Sequence, residues 1–297
     1  MSFRRVIVAF DGSPQAEDAL ALALRLRDPD DGALALACVV PGGRWHVGAH
    51  SHRPDAAVPE EIESLFADAC ARLIPPGIHV RRRAPIAPSP ARGLTELAES
   101  EDADLVVIGS SRHGEPGRIR LERTAGRLLQ GAPCAVAVAP GGLRSAGPAH
   151  HIGIAYDGSP EAEAALHAGY DIAAASGAAV TLFHAIPTGG LEPLSHDARL
   201  RAQERLDAAA DAAPPGVNPA TALLFGAPAE VIRKSSDGIV DLLVAGSRGY
   251  GPMQRALVGS VSELLVEGAP QPVLVLPRRP RSGLPLKPVA IDQQEAR

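Results

Sequence analysis

A chain of 297 residues with 29 Lys and Arg against 34 Asp and Glu carries a net charge of −5, which lacks the basic excess of a nucleic-acid binder. No apolar run reaches the length of a membrane span, and "MSFRRVIVAFDGS" enters a strand pattern at once, so a cytoplasmic protein without a membrane segment is expected. Cys38, Cys70 and Cys134 are odd in number and far apart, which fits reduced thiols rather than a disulfide frame or a zinc site.

Along the chain, the first short apolar run predicts a strand at Val6–Phe10. Ser13-Pro14 then opens a helix, with serine as N-cap and proline in the first turn. Further strands are predicted at Ala33–Val40, Ile78–Arg82, Leu105–Ile108 and Ala135–Val138, with amphipathic helical stretches between them. "GGLRSAGPA" at 141–149 has the composition of a linker. The order then recurs: a strand at Ile152–Tyr156, a helix opened by Ser159-Pro160, and strands at Ala179–Ala185, Ala220–Phe225, Leu242–Ala245 and Val273–Leu276. Residues 278–297 are charged and rich in proline and are expected to form a loosely held tail.

The recurrence is a duplication. "RRVIVAFDGSPQAEDALALAL" matches "HIGIAYDGSPEAEAALHAGY", placing Asp11 on Asp157. "DADLVVIGS" matches "IVDLLVAGS", and "GAPCAVAVAP" matches "GAPQPVLVLP". From Gly109 to Pro140 the spacing between the copies is a constant 137 residues. Alternating strands and helices predict an α/β fold: two tandem doubly wound domains, 1–140 and 150–277, each with a five-stranded, mostly parallel sheet flanked by helices. The last strand of each copy, "AVAV" and "VLVL", would be a bare apolar edge in an open sheet. Pairing of those two edges about an internal pseudo-two-fold is therefore expected.

Ligands of such sheets bind beyond the carboxyl ends of the strands at a topological switch point. Three features of the second copy converge there. Asp157 ends the first strand, where a carboxylate can meet a ribose hydroxyl or a phosphate-bound metal, or can simply close the turn. Gly246-Ser247-Arg248-Gly249 follows the fourth strand, and glycines there let the backbone approach an anion. Gly259-Ser260-Val261-Ser262 opens an apolar-periodic helix, whose free N–H groups and hydroxyls suit a phosphate or a plain cap.

With these residues the chain resembles the universal stress protein family in its tandem two-domain form, over nearly all of 1–277. Gly246, Gly249, Gly259 and Ser260 match that family's ATP signature, Gly-x₂-Gly-x₉-Gly-(Ser/Thr). The resemblance implies an adenine nucleotide alpha hydrolase-like fold. It also implies an ATP site at Ala155, Asp157, Ala185, Gly246, Ser247, Arg248, Gly249, Gly259, Ser260, Val261 and Ser262. Asp157 would lie by the ribose and phosphates, the Ala185 backbone would hold adenine, and a Mg²⁺ or Mn²⁺ ion would sit on the phosphates. His184 is expected to be structural, because strand alternation turns it away from Ala185.

The first copy departs from the signature: Arg112, Glu122 and Arg123 stand where Gly249, Gly259 and Ser260 stand in the second. Asp11, Val39 and Gly109 survive there as a remnant site. Glu122 would set a carboxylate beside a polyphosphate. Arg120, Arg123 and Arg127 are spaced as one helical stripe and read as a solvated face or an anion or partner surface.

No P-loop, GxGxxG, GxSxG or metal-spaced His/Cys cluster occurs. An ATP-binding stress-response or signalling module with little or no turnover is expected, with a homodimer of tandem chains and an unknown protein partner as its company. Two other readings stay open: a slow ATPase or nucleotidyl-transferring enzyme of the same fold, and a non-binding scaffold acting through protein partners.

Overall fold

The computed structural model describes residues 3–42, 59–115, 117–143, 147–188, 196–247 and 261–277. In chain order the first half holds β1 (Arg5–Ala9), α1 (Pro14–Leu26), β2 (Ala33–Ala37), β3 (Val40–Pro41), α2 (Glu60–Leu73), β4 (Val80–Arg83), β5 (Ile86–Ala87), α3 (Pro90–Ser100), β6 (Leu105–Gly109), α4 (Arg123–Gly131) and β7 (Ala135–Ala139). The second half holds β8 (His151–Ala155), α5 (Pro160–Ser176), β9 (Ala179–Ile186), α6 (His196–Asp211), β10 (Ala220–Phe225), α7 (Pro228–Ser236), β11 (Leu242–Gly246), α8 (Val261–Val266) and β12 (Val273–Leu276). The expected tail, 278–297, lies outside the described residues.

Ten strands form one sheet in the order β10-β9-β8-β11-β12-β7-β6-β1-β2-β4, and β3 pairs with β5 apart from it. Neighbours within each half run parallel. The two halves meet where β7 and β12 pair antiparallel, Val136 to Val275, Ala137 to Leu274 and Val138 to Val273. The expected pairing of the two last strands is therefore present, and the carboxyl ends of the two half-sheets face opposite edges. The central strands read AVAVA, LVVIG, VLVL and LLVAG because apolar layers cover both of their faces. Helices α1, α2, α5 and α6 pack on one face, where Val6, Val8, Phe66 and Leu206 are buried. Helices α3, α4, α7 and α8 pack on the other, over Ile7, Leu94, Leu128 and Leu265.

The duplicated turns are built alike. Ser13 Oγ accepts from the Ala16 N–H at 3.2 Å, and Ser159 Oγ accepts from Ala162 at 3.2 Å, capping α1 and α5 as expected. Gly12 and Gly158 hold φ of 78° and 77°, the left-handed region that the turn between strand and cap requires. Asp104 accepts from the Arg4 and Arg5 amides, and Asp241 accepts from those of His150 and His151. An aspartate ahead of the fourth strand thus ties down the start of the first in both copies.

Two strand bounds differ from expectation. The strand predicted at Ala33–Val40 ends at Ala37, and Val40–Pro41 pairs with Ile86–Ala87 instead. Pro85 supplies no N–H there; its carbonyl accepts from Val40, and the ladder cannot run on. The next strand is Val80–Arg83 rather than Ile78–Arg82. It is one edge of the sheet, where Arg82 pairs with Glu63 and Arg83 with Glu101. All three cysteines are free, and burial pushes the Cys134 thiol up to about 12, so it is an inert core group.

Candidate functional site

In the second half, strand order reverses at β8, whose neighbours are β9 and β11. A cavity of about 340 Å³ opens at the carboxyl ends of these three strands. Ala155, Asp157, Ala185, Gly246, Val261 and Ser262 all line it, so four separate stretches of the sequence meet at one place. Ser247 is not on its wall; its amide donates to the Leu276 carbonyl at 2.7 Å and ties β11 to the end of β12. Arg248, Gly249, Gly259 and Ser260 lie outside the described residues.

The local chemistry of these residues is mixed. Asp157 Oδ1 accepts from the Ser159 amide at 3.0 Å, so the aspartate does close its own turn while it faces the cavity. A Cβ on Gly246 would overlap the backbone of Glu161, and one on Gly109 would overlap the backbone of Gln15. Both glycines are thus demanded by close packing of the strand end on the first turn of α5 or α1, whatever else they do. Among the described residues, Asp157 is the single carboxylate on the cavity wall and no group of three or more metal-ligating side chains occurs. A divalent ion would fit there only as a partner of bound phosphate, with Asp157 as one hard oxygen donor.

His184 is buried and alternates with Ala185 along β9, yet both line the cavity, so alternation does not remove it from the site. Burial lowers its pKa below the usual histidine range, against a hydrogen bond to the Tyr156 backbone and the nearby Asp157 charge. Its Nδ1 is buried without a partner. Tyr156 donates to Glu163 from the same wall. Arg205 of α6 also lines the cavity and packs over Gly158. Sequence reasoning missed Arg205, although a signal for it exists. Phe66 and Leu206, and likewise Ala69 and Ala209, are buried at matching positions of α2 and α6, which sets Arg205 opposite Leu65 of the first half. Leu65 indeed stands over Gly12 as Arg205 stands over Gly158. Phe10 and Cys38 on the wall of one half, with Leu65 over the adjoining Gly12, correspond to Tyr156, His184 and Arg205 on the wall of the other.

The first half keeps a cavity of about 440 Å³, lined by Asp11, Val39 and Gly109 among others. Its rim is closed on itself. Arg112 Nη2 donates to Asp11 Oδ2 at 2.5 Å, while Asp11 Oδ1 accepts from the Ser13 amide and hydroxyl. Burial alone would raise the Asp11 pKa, but the Ser13 hydrogen bonds and Arg112 together hold it below the usual carboxylate value. Glu122 occupies the N-cap position of α4 without capping it; its carboxylate accepts from Ser111 Oγ at 2.5 Å. The stripe of Arg120, Arg123 and Arg127 does not share one helix, because α4 begins at Arg123. Arg120 lies in the preceding loop, where its amide donates to Ser110 Oγ at 2.8 Å. That loop also binds the other half: Ile119 N donates to Ala269 O, and Gly268 N donates to Ile119 O.

The model of the universal stress protein family matches this chain twice, at residues 2–140 and 148–277. A universal stress protein of Mycobacterium tuberculosis is 30% identical over 198 residues, which are 63% of this chain and 65% of the relative. The chain therefore spans less than two thirds of that relative's length. A universal stress protein of Thermus aquaticus is 38% identical over 130 residues, 41% of this chain and 95% of the relative. Among solved structures, a universal stress protein from Archaeoglobus fulgidus superposes with a TM-score of 0.66 at 18% identity, covering 92% of this chain and 98% of its own. A putative universal stress protein from Pseudomonas aeruginosa gives 0.64 at 21% identity, covering 93% of each. At these identities the superpositions speak to the fold.

Proposed function

The chain belongs to the universal stress protein family as a tandem pair of its domains, and from that premise we propose that it binds one ATP, in the second half, as a nucleotide-dependent stress-response or signalling module. The observation that carries this reading is the cavity at the switch point, where Asp157, Ala185, Gly246, Val261 and Ser262 converge from three elements and the turn after β8. Adenine would lie toward Ala185, the ribose toward Asp157, and the phosphates toward the start of α8. Gly249, Gly259 and Ser260 complete the signature in sequence and are assigned to the phosphate path on that ground. Mg²⁺ or Mn²⁺ would enter with the phosphates. Asp157 is already engaged with Ser159, and among the described residues no second carboxylate lines the cavity, which supports binding with little turnover.

Mass spectrometry of small molecules released from the purified chain tests the reading, followed by calorimetry with MgATP. The expected result is an adenine nucleotide bound at one per chain, with ADP appearing far more slowly than about 1 s⁻¹, the low end of ordinary enzymes. Two sites per chain, or none, would overturn it. A rate above that range that Asp157→Ala abolishes would make the protein an ATPase.

A further inference from the structure

The first half has lost the signature but not the hole. Its cavity is the larger of the two, and the groups on its rim have been rewired rather than removed. An anion needs hydrogen-bond donors that nothing else holds. Here several of the rim donors are turned inside the protein. The Arg112 guanidinium is on Asp11, the Ser111 hydroxyl is on Glu122, and the Ser110 hydroxyl donates to the Arg118 or Arg120 carbonyl. What the substitution of Glu122 adds is acceptor capacity. A carboxylate offers about four lone-pair positions. Asp11 shows three donors, from Ser13 twice and from Arg112, while Glu122 Oε1 has Ser111 alone within hydrogen-bond distance. Away from the rim the wall includes the apolar residues Ala37, Val39, Leu94, Ile108 and Ala125. A volume of about 440 Å³ is in the range of small-molecule sites and suits a molecule of nucleoside size.

We propose that the first-half cavity is a second binding site, for an uncharged molecule of nucleoside size whose hydroxyl or amino groups donate to Glu122 and Asp11, and that it excludes phosphorylated forms of the same molecule. Phosphate is refused because it would meet the Glu122 carboxylate at the mouth of α4, where the second half has Gly259. The two halves of the chain then sense different ligands, one charged and one neutral, across a single sheet.

Cys38 gives the site its own reporter, because it lines this cavity and not the one in the second half, whereas Cys70 lines neither. The experiment is timed alkylation of the full chain by iodoacetamide at mildly alkaline pH, with the Cys38 and Cys70 peptides quantified by mass spectrometry. Adenosine, guanosine and uridine are the neutral probes, and ATP and AMP the charged ones. A nucleoside at ten times its Kd leaves about a tenth of the cavities open, so Cys38 should react about tenfold more slowly while Cys70 is unchanged. ATP and AMP should leave Cys38 at its unprotected rate even when the second half is saturated. In the triple variant Arg112→Gly, Glu122→Gly, Arg123→Ser, which restores the signature residues, ATP should come to protect Cys38 as well. Equal protection by ATP and adenosine in the parent overturns the proposal, as does protection by none of the three nucleosides. The parent chain decides both points if the triple variant does not fold. Because the readout is confined to Cys38, its outcome is independent of whether the second half binds ATP.

Discussion

Ala137 pairs with Leu274 across the centre of the sheet, and Leu274 is its own counterpart in the other copy, at the same 137-residue spacing that separates Gly109 from Gly246. The pseudo-two-fold axis therefore passes through a pair of equivalent residues, and each copy's last strand serves as the other's missing neighbour. Without the partner, "AVAVA" and "VLVL" would be apolar strand edges open to any chain.

Stability should accordingly be shared across that seam. Proline at 137 removes a ladder N–H in a strand paired on both sides, so Ala137→Pro is expected to cost about 3 kcal/mol or more. Urea unfolding followed by circular dichroism should show one transition at a lower midpoint. Two transitions, with the second half unmoved, would mean that the halves are stable separately and the seam is incidental.

The strand-end glycines give a second test. Gly109 lies in the copy that lacks the signature and Gly246 in the copy that keeps it, yet both face helix backbone where a side chain would go. Overpacking of this kind typically costs about 1–3 kcal/mol. Gly109→Ala and Gly246→Ala should therefore destabilise the chain by similar amounts in thermal melts without ligand. Loss in Gly246→Ala of ATP affinity alone, with the melting temperature unchanged, would make that glycine a binding residue and not a packing one.

Much of this was legible in the sequence, for a physical reason: buried parallel strands are short apolar runs, and a duplication shows each run twice. Ser13-Pro14 and Ser159-Pro160 announced two helices, and both serines cap them. Pro85 was equally visible, but its effect on the strand at Ala33–Ala37 depends on which chain lies beside it. Arg205 stayed hidden because α2 and α6 share little beyond their buried faces, so the equivalence of Leu65 and Arg205 emerges only once Phe66 and Leu206 are seen at the same depth. The Asp11–Arg112 bridge was hidden for a similar reason: sequence gives the substitution at 112 but not where the guanidinium goes.

Acid should loosen the first-half rim in a defined window. The Asp11 pKa in the folded chain lies below its model-peptide value of 3.8, so its stabilising contribution is complete above about 3.8. It is lost as pH falls through the lower folded value. Both partners are more than half exposed, at 63% and 51%, so the loss is at most about 1 kcal/mol. Carbon-detected NMR titration of the Asp11 carboxyl checks this, and Arg112→Ala should raise its midpoint. A midpoint unmoved by Arg112→Ala would mean that the Ser13 bonds alone set it.

His184 runs in the opposite chemical sense. Its pKa is lowered by burial, so below about 6.5 the unfolded chain takes up a proton that the folded chain resists. Stability should fall as pH drops through 6.5, and continue to fall until the lower folded value is reached. Replacing His184 with Phe removes the titrating group, and the plot of unfolding free energy against pH should flatten there. A slope unchanged in His184→Phe would assign the acid sensitivity to other histidines.

The last expectation concerns the wall that differs most between the halves. Arg205 lies over the Asp157-Gly158 turn at the proposed ATP cavity, where the first half has Leu65 over Gly12. A guanidinium there attracts a polyphosphate over a few ångströms, through partly screened solvent, with an interaction of about 1 kcal/mol. Arg205→Leu, which copies the first half, should therefore weaken MgATP binding roughly five- to tenfold by calorimetry. Arg205→Lys should keep most of the affinity, because a charge without a fixed partner geometry is enough. The residue is exposed on α6, so the melting temperature without ligand should barely move in either variant. The loss should also shrink as salt is raised, since the attraction is electrostatic. An unchanged affinity in Arg205→Leu would place the phosphates away from α6. A loss that salt leaves untouched would mean that Arg205 acts by shaping the Asp157 turn and not by its charge.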